Sequence, residues 1–178
     1  MRALMRKIHN RGHELGLHPS FNTYLDKHQL QREFAALLAA CEEEGIRQDR
    51  WGGRQHYLRW QAPDTWRHWN DVGLSYDSTV GFADHVGFRC GTCREFPVFN
   101  LQTREMLDLI ERPLIVMEGT LLAPQYMGLE DERALEWIER LSTTCKQYHG
   151  NFTLLWHNSM LATPELRRLF EEAVAIAV

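Results

Sequence analysis

The chain has 178 residues, of which 44% are hydrophobic and 25% charged, with a formal net charge of -4 at pH 7. These values are typical of one soluble globular domain, which at this length buries roughly 70% of the surface of its unfolded chain. The negative charge argues against nucleic-acid binding, and no apolar run is long enough to span a bilayer. The first ten residues lack the apolar core of a signal peptide, so we predict a cytoplasmic protein with reduced cysteines.

Hydrophobic periodicity predicts that helices and strands alternate along the chain. The predicted helices cover 2–11, 29–44, 63–71, 103–111, 129–148 and 164–178, and the predicted strands cover 15–18, 54–60, 73–79, 94–101, 114–117 and 152–156. The stretch 80–92 is rich in glycine and charge and is predicted to be irregular. Alternation of this kind implies a parallel sheet or a barrel, yet no strand precedes the first helix.

The first candidate site residue is His18. Leu15 and Leu17 alternate with polar positions, so a short strand delivers His18 at its carboxyl end, where α/β sheets and barrels place ligand sites. If a helical turn follows Pro19, His18 and Asn22 share one face and can hold one ion. One imidazole and one amide do not complete a zinc site, which needs about three protein ligands. A turn histidine bonded to backbone is therefore the alternative interpretation.

Polar side chains also lie at the start of one later strand and at the end of the next. Arg54 follows two glycines, and its neighbours His56 and Tyr57 are polar aromatics. A guanidinium here can orient a carboxylate or bind a substrate anion, but a surface or interface strand is an equally good interpretation. Residues 77–79, Asp-Ser-Thr, close the next predicted strand, either as part of a ligand site or as an Asx-type turn that caps the strand.

Two further strand ends carry titratable side chains. His157 directly follows a buried strand, which suits a general acid or base because the ordinary pKa of histidine is near neutrality. A histidine bonded within the core is the alternative. Glu118 also ends a strand, where a cap or an ion pair is its simplest role.

The cysteines at 90 and 93 form a CxxC motif. A structural zinc site would need a second pair at suitable spacing, whereas Cys41 and Cys145 occur singly within predicted helices. A metal or redox role for Cys90 and Cys93 is therefore left open.

Taken in order, these segments resemble the polysaccharide deacetylase family of carbohydrate esterases. Residues 12–18, GHELGLH, resemble the family's GHEIGNH stretch, which implies that His18 is a metal ligand; the family's second histidine ligand falls at Asn22. The resemblance further implies that Arg54 holds the catalytic aspartate and that His157, after Leu-Leu-Trp, protonates the leaving amine. The family's YDSS segment, which lines its substrate groove, matches Tyr76, Asp77 and Ser78, and His56 and Tyr57 are added as substrate contacts.

The resemblance implies an incomplete (β/α) barrel with its first strand missing, and a single catalytic domain over 1–178. The family's two catalytic aspartates precede the GHEIG stretch, but no aspartate occurs before Asp26, so a truncated member with a weak zinc or other divalent metal site is expected. The implied function is metal-dependent removal of N-acetyl groups from a cell-surface or lipopolysaccharide-type glycan, impaired in this chain. An allantoinase-like amidase and a non-catalytic carbohydrate-binding remnant are the alternatives. The hydrolase interpretation requires His18, Arg54 and His157 to meet at one barrel mouth, and the oligomeric state is not indicated.

Overall fold

The structure is a computed structural model that describes residues 2–177, and in this range it contains six α-helices and six β-strands. The helices are α1 Arg2–His9, α2 Lys27–Glu43, α3 Asp64–Asp71, α4 Glu118–Leu122, α5 Asp131–Gln147 and α6 Pro164–Ala177. The strands are β1 Gly52–Gly53, β2 Tyr76–Asp77, β3 Phe96–Asn100, β4 Glu105–Glu111, β5 Val116–Met117 and β6 Leu154–Leu155. The chain divides into two compact units: the first runs to Thr79 and includes Phe96–Glu111, and the second comprises Val80–Glu95 and the chain from Arg112 onward.

The first unit contains a four-stranded sheet in the order β1-β2-β4-β3. The strands β1, β2 and β4 are parallel, and β3 pairs with β4 in antiparallel fashion. Leu17 extends the parallel arrangement by a single bridge to Gly53. Because Gly53 pairs with Asp77 and Asp77 with Glu111, the carboxyl ends of the parallel strands lie at one level of the sheet.

The core of the first unit forms between this sheet and the apolar faces of α2 and α3. Asp26 caps α2 by accepting a 2.9 Å hydrogen bond from the backbone N–H of Gln29, which satisfies one of the free donors at the helix start. Buried apolar side chains from the helices and the sheet then pack together: Leu17, Leu30, Phe34, Trp69, Leu74, Val98 and Leu109.

The second unit is built on two parallel strands, β5 and β6, with α5 and α6 packed together beside them. The inward positions of α5 recur at three- and four-residue intervals, as in an amphipathic helix. Its core includes Val86, Cys93, Ile115, Val116, Leu121, Ala134, Ile138, Leu141, Cys145 and Ala173.

The mixed α/β class and the main helices are confirmed, with small shifts at the ends. Within residues 2–177 the strands form one four-stranded and one two-stranded sheet, and no closed barrel is present. In the same range, no helix combines the length and the apolar character needed to cross a membrane.

The helix predicted at 103–111 is wrong, because this segment forms the strand β4. Its protected positions Leu107, Leu109 and Glu111 alternate with more exposed ones, which is the period of a strand. Strands β2 and β3 pair with it on either side, so tertiary hydrogen bonding decides its conformation.

The strand predicted at 54–60 is also wrong in position. The strand β1 is the preceding glycine pair, and His56–Leu58 forms a 3₁₀ turn. Tyr57 and Leu58 have φ values of 58° and 52°, a left-handed conformation that ends an extended strand.

We predict that Gly53→Ala destabilises the fold by about 3 kcal/mol or more, because overpacking against rigid backbone cannot relax. A Cβ at this position would lie 1.9 Å from the Leu17 carbonyl oxygen and 2.7 Å from the Leu17 nitrogen. Urea unfolding measures the effect. Gly119→Ala is the control, since an added Cβ there has no heavy atom within 4 Å. Equal unfolding midpoints for the two variants would contradict the close approach of Leu17 and Gly53.

Candidate functional site

His18 lies beside Arg54 in the first unit because their backbones are joined across the Leu17–Gly53 bridge. The Leu17 N–H donates to the Gly52 carbonyl at 2.8 Å, and the Arg54 N–H donates to the Leu17 carbonyl at 3.0 Å. The His18 ring then donates from Nδ1 to the Arg54 carbonyl at 2.9 Å. This hydrogen bond fixes the direction of the ring, and His18 is solvent-exposed.

The Arg54 side chain turns toward the end of β2. Its Nε donates to the Ser78 carbonyl at 2.6 Å, and its Nη2 donates to Ser78 Oγ at 2.8 Å. Burial lowers the pKa of Arg54, while the nearby Asp77 and Glu111 carboxylates and Tyr76 act in the opposite direction. The guanidinium therefore ties β1 to β2 and offsets buried negative charge.

Asp77 is fully buried at the end of β2. Its Oδ1 accepts hydrogen bonds from the Thr79 hydroxyl and from the Thr79 N–H, the latter at 3.1 Å, so the Asx-type turn considered from the sequence is confirmed. Its Oδ2 is buried without a hydrogen-bond partner in the described part of the chain. Burial raises the pKa of Asp77 to about 7, although the Thr79 hydrogen bonds and Arg54 lower it.

The other residues matched to the family's YDSS segment are buried as well. The Tyr76 hydroxyl donates to Glu14 Oε2 at 3.2 Å, and Ser78 Oγ accepts from Arg54. In this structure their polar groups are therefore engaged with protein atoms.

The side chain of Asn22, the predicted metal ligand, is hydrogen-bonded to the guanidinium of Arg59. Arg59 Nη1 donates to Asn22 Oδ1 at 3.1 Å and to the Phe21 carbonyl at 2.8 Å. The same guanidinium lies 3.8 Å from the centre of the Phe21 ring and 3.9 Å from that of Tyr24. A positive group on the amide oxygen opposes the approach of a metal ion to Asn22.

His56 and Tyr57 form the exposed side of this region. His56 Nδ1 lies 3.0 Å from His18 Nε2. Tyr57 is 77% exposed, and its ring packs edge-on against His56 and Phe21, with centroids 4.7 and 5.7 Å away. Of the five predicted substrate contacts, His56 and Tyr57 are thus the two that present surface to solvent.

The three-ligand zinc centre that the family resemblance implies does not fit these residues. Within residues 2–177 no group of three or more His, Cys, Asp or Glu side chains is placed to hold a metal ion. His18 offers one nitrogen, while the oxygen of Asn22 already binds Arg59.

A separate histidine–carboxylate pair lies in the second unit. Glu118 follows β5 directly and His157 follows β6 by two residues, so the parallel pairing of these strands brings the two side chains together. His157 Nδ1 is hydrogen-bonded to Glu118 Oε1. The Glu118 side chain is 1% exposed and that of His157 is 48% exposed, so the acid is buried and the imidazole reaches solvent.

Sequence reasoning identified most of these positions but not all of their partners. It placed His18 and His157 at strand ends and Arg54 at a strand start, and it named a cap or an ion pair for Glu118, whose carboxyl group contacts His157 Nδ1. It missed Glu111, because its segment was predicted to be helical. The contact between His18 and His56 had no sequence signal, because it depends on the turn that follows β1. The meeting of His157 with His18 and Arg54 stays a prediction.

The comparisons with known proteins add no relative. The chain matches no protein-family model, no curated protein and no solved structure.

We predict that Asp77 makes the protein less stable as the pH rises. Its folded-state pKa of about 7 lies above the ordinary value of 3.8, so the folded state binds the proton more tightly. The resulting stability is complete below the unfolded pKa and is lost as the pH rises through the folded pKa. Between pH 5 and pH 8 we expect a loss of roughly 2–3 kcal/mol that Asp77→Asn abolishes.

Urea unfolding at the two pH values checks this prediction. Asp108→Asn, a change at an exposed position of β4, is the matched control and should keep the wild-type slope. The same pH dependence in Asp77→Asn and wild type would show that Asp77 titrates as an ordinary carboxyl.

Proposed function

We propose that this protein is a hydrolase of the polysaccharide deacetylase type, which removes N-acetyl groups from a cell-surface or lipopolysaccharide-type glycan. The observation that supports it best is the His157–Glu118 pair at the carboxyl ends of two parallel strands. This is the edge at which α/β folds place their ligands. The four free cysteines support the further proposal of a reducing compartment such as the cytoplasm.

The His157–Glu118 pair has the arrangement of a proton donor and its orienting group. An ionised Glu118 accepts the Nδ1 proton and fixes the ring, so Nε2 is the atom directed away from the carboxylate. Water adds to the acetamido carbonyl carbon, and an oriented imidazolium protonates the nitrogen as the C–N bond breaks. The products are the free amine and acetic acid, whose proton returns to the imidazole. The buried carboxylate balances the charge of the imidazolium before the transfer, as in a catalytic triad.

The first unit, taken by itself, has side chains that suit contact with a sugar. The half-buried Arg54 is fully oriented by Ser78, and His56 and Tyr57 present aromatic rings to solvent. Such rings pack against the apolar faces of sugars while their polar atoms bond to hydroxyls. No step is assigned to a metal ion, because the described residues do not assemble a three-ligand centre, and we expect slow turnover by this chain.

A non-catalytic carbohydrate-binding protein is the second candidate. It is favoured by the absence of a three-ligand metal group in residues 2–177, together with the exposed ring of Tyr57. An allantoinase-like amidase would use the same proton donor on a ring amide, so a comparison of substrates separates it from the deacetylase.

We predict that His157→Ala lowers acetate release from N-acetylated oligosaccharides by about 10²- to 10⁴-fold, the usual contribution of a general acid. Glu118→Gln should lower it less and should alter its pH profile, since the neutral amide still orients the ring but does not balance its charge. His149→Asn is the matched control, because His149 is exposed and asparagine tolerates its φ of 52°.

Acetate release and opening of a ring amide are measured side by side, with circular dichroism to verify folding. Unchanged activity in a folded His157→Ala variant would contradict the proposal. Ring opening without acetate release would identify the amidase instead.

We predict that Tyr57→Asn weakens binding of an N-acetylated oligosaccharide by roughly 2- to 10-fold, the loss of one aromatic contact. Asparagine is chosen because Tyr57 has a φ of 58°. Calorimetric titration measures the affinity, and Tyr148→Asn, at a tyrosine that is 61% exposed, is the control. Binding that survives in Tyr57→Asn would show that Tyr57 is not a sugar contact. Binding by a wild-type protein that releases no acetate would favour the non-catalytic candidate.

A further inference from the structure

Two cysteines that are far apart in the sequence, Cys93 and Cys145, lie together in the core of the second unit. Cys145 is the last buried residue of α5, and Cys93 lies in the irregular segment that precedes β3. Their side chains are 1% and 5% exposed, respectively, and belong to the same apolar cluster. The Cys145 thiol is hydrogen-bonded to Cys93, so the fold brings two sulfur atoms into contact.

The turn after α5 holds the two cysteines in this arrangement. The Gly150 N–H donates to the Cys145 carbonyl at 2.9 Å, and the Asn151 N–H donates to the Cys93 carbonyl at 2.8 Å. A Cβ at position 150 would lie 2.2 Å from Cys93 Sγ, so the backbone there runs directly against this sulfur. Two adjacent peptide groups therefore fix the backbones of both cysteines.

Cys93 also lines an open cleft of the second unit. The cleft has a volume of about 380 Å³, and its walls include Phe88, Arg94, Thr144 and Tyr148. The Arg94 guanidinium donates two hydrogen bonds to the Tyr148 carbonyl, at 2.9 and 3.1 Å, which fixes a positive charge beside the cleft. Reactive cysteines are found in such electropositive surroundings with access to solvent. A small reagent that enters the cleft reaches Cys93 before Cys145.

The surroundings of the two thiols give them different roles. Burial, the electrostatic interaction with Cys93 and the hydrogen bond that Cys145 donates raise the pKa of Cys145 to about 12. Cys145 is therefore protonated at neutral pH, whereas the attacking species in thiol chemistry is the thiolate. Cys93 accepts the hydrogen bond and lines the cleft, so it is suited to the first attack and Cys145 to the second.

We infer that Cys93 and Cys145 form a dithiol that a peroxide converts reversibly into a disulfide, with Cys93 reacting first. The Cys93 sulfur attacks one oxygen of hydrogen peroxide, the O–O bond breaks, and the leaving hydroxide takes the Cys93 proton and departs as water. The Cys145 sulfur then attacks the Cys93 sulfur, the S–O bond breaks, and a second water leaves with the Cys145 proton. Two thiols thus give two electrons to one peroxide, and a small dithiol restores them by disulfide exchange.

In this proposal Cys93 takes its partner from the fold rather than from the CxxC motif. The Cys90 thiol lies 3.9 Å from the Val80 carbonyl oxygen, as a weak hydrogen bond. Disulfides in a reducing compartment are usually transient and redox-sensing, which suits a pair that is reduced in the structure. Oxidation of this pair is independent of the proposed hydrolase activity.

The experiment treats the reduced, full-length chain with hydrogen peroxide, blocks the remaining thiols with iodoacetamide in urea, and maps the tryptic peptides by mass spectrometry. Trypsin cleaves after arginine and lysine, so Cys93 lies on the peptide 90–94 and Cys145 on the peptide 141–146. We expect these two peptides to be joined with the loss of two hydrogen atoms, and to be separated again by dithiothreitol. The wild-type chain alone gives this result, so it does not depend on the folding of a variant.

Cys90→Ala and Cys93→Ala are a matched pair, because both residues lie on the same peptide. Cys90→Ala should keep the joined peptides. Cys93→Ala should lose them and slow the oxidation of Cys145 by about tenfold or more, since a buried thiol with a raised pKa is inert. Cys145→Ala should stop at a sulfenic acid on Cys93, which dimedone traps. Cys41→Ala, at a buried cysteine of the first unit, is the control and should react as wild type does.

Three results would overturn the inference. A disulfide within the peptide 90–94 would assign the chemistry to the CxxC motif. Joined peptides that survive in Cys93→Ala would make Cys90 the partner of Cys145. Thiols that stay unreacted in the folded wild type and react once urea unfolds it would make Cys93 and Cys145 inert core residues. Circular dichroism verifies the folding of each variant, and no substrate is present, so each result is distinct from a failure of the hydrolase assay.

Discussion

The close approach of the Leu17 and Gly53 backbones is the constraint on which the first unit depends. A residue with a Cβ at position 53 would place that atom 1.9 Å from the Leu17 carbonyl, so only glycine allows the parallel bridge to form. The bridge continues the sheet on one side of β1 and places His18 within hydrogen-bond distance of the Arg54 carbonyl. The orientation of His18 thus follows from the backbone packing of the residue that precedes it.

The buried charged side chains at the ends of β1, β2 and β4 mainly position the strands and are not arranged to react with a ligand. Arg54, Asp77 and Glu111 lose hydration, and a buried ion pair returns that cost only when the geometry and the additional hydrogen bonds are good. Thr79 and Ser78 provide such bonds, as does Trp66, whose indole N–H donates to Glu111 at 2.9 Å. A carboxyl as enclosed as Asp77 has no route to a bulky glycan, so its role is to hold the strand ends in register.

The sequence predicted the parts of the fold that local patterns determine. Helices α2, α5 and α6 have long apolar stripes and clear ends, so periodicity was sufficient. The prediction for the segment of β4 was wrong because its conformation depends on pairing with β2 and β3, which no local sequence pattern indicates. The same reason explains the candidate sites. His18 and His157 were identified because the end of a strand can be predicted from the hydrophobic pattern before it. Their partners depend on tertiary contacts.

His157 and His18 differ in the group that is hydrogen-bonded to Nδ1, and this difference suits the two rings to different chemistry. Behind His157 lies a buried carboxylate, which can balance the charge of an imidazolium, so this ring can carry a proton to a leaving group. Behind His18 lies a backbone carbonyl, which accepts the Nδ1 proton but brings no net charge, so this ring presents a lone pair. His56 Nδ1 lies 3.0 Å from His18 Nε2 and donates a hydrogen bond to it. The acceptor behind each ring therefore decides whether a positive charge on that ring would have a buried counter-charge.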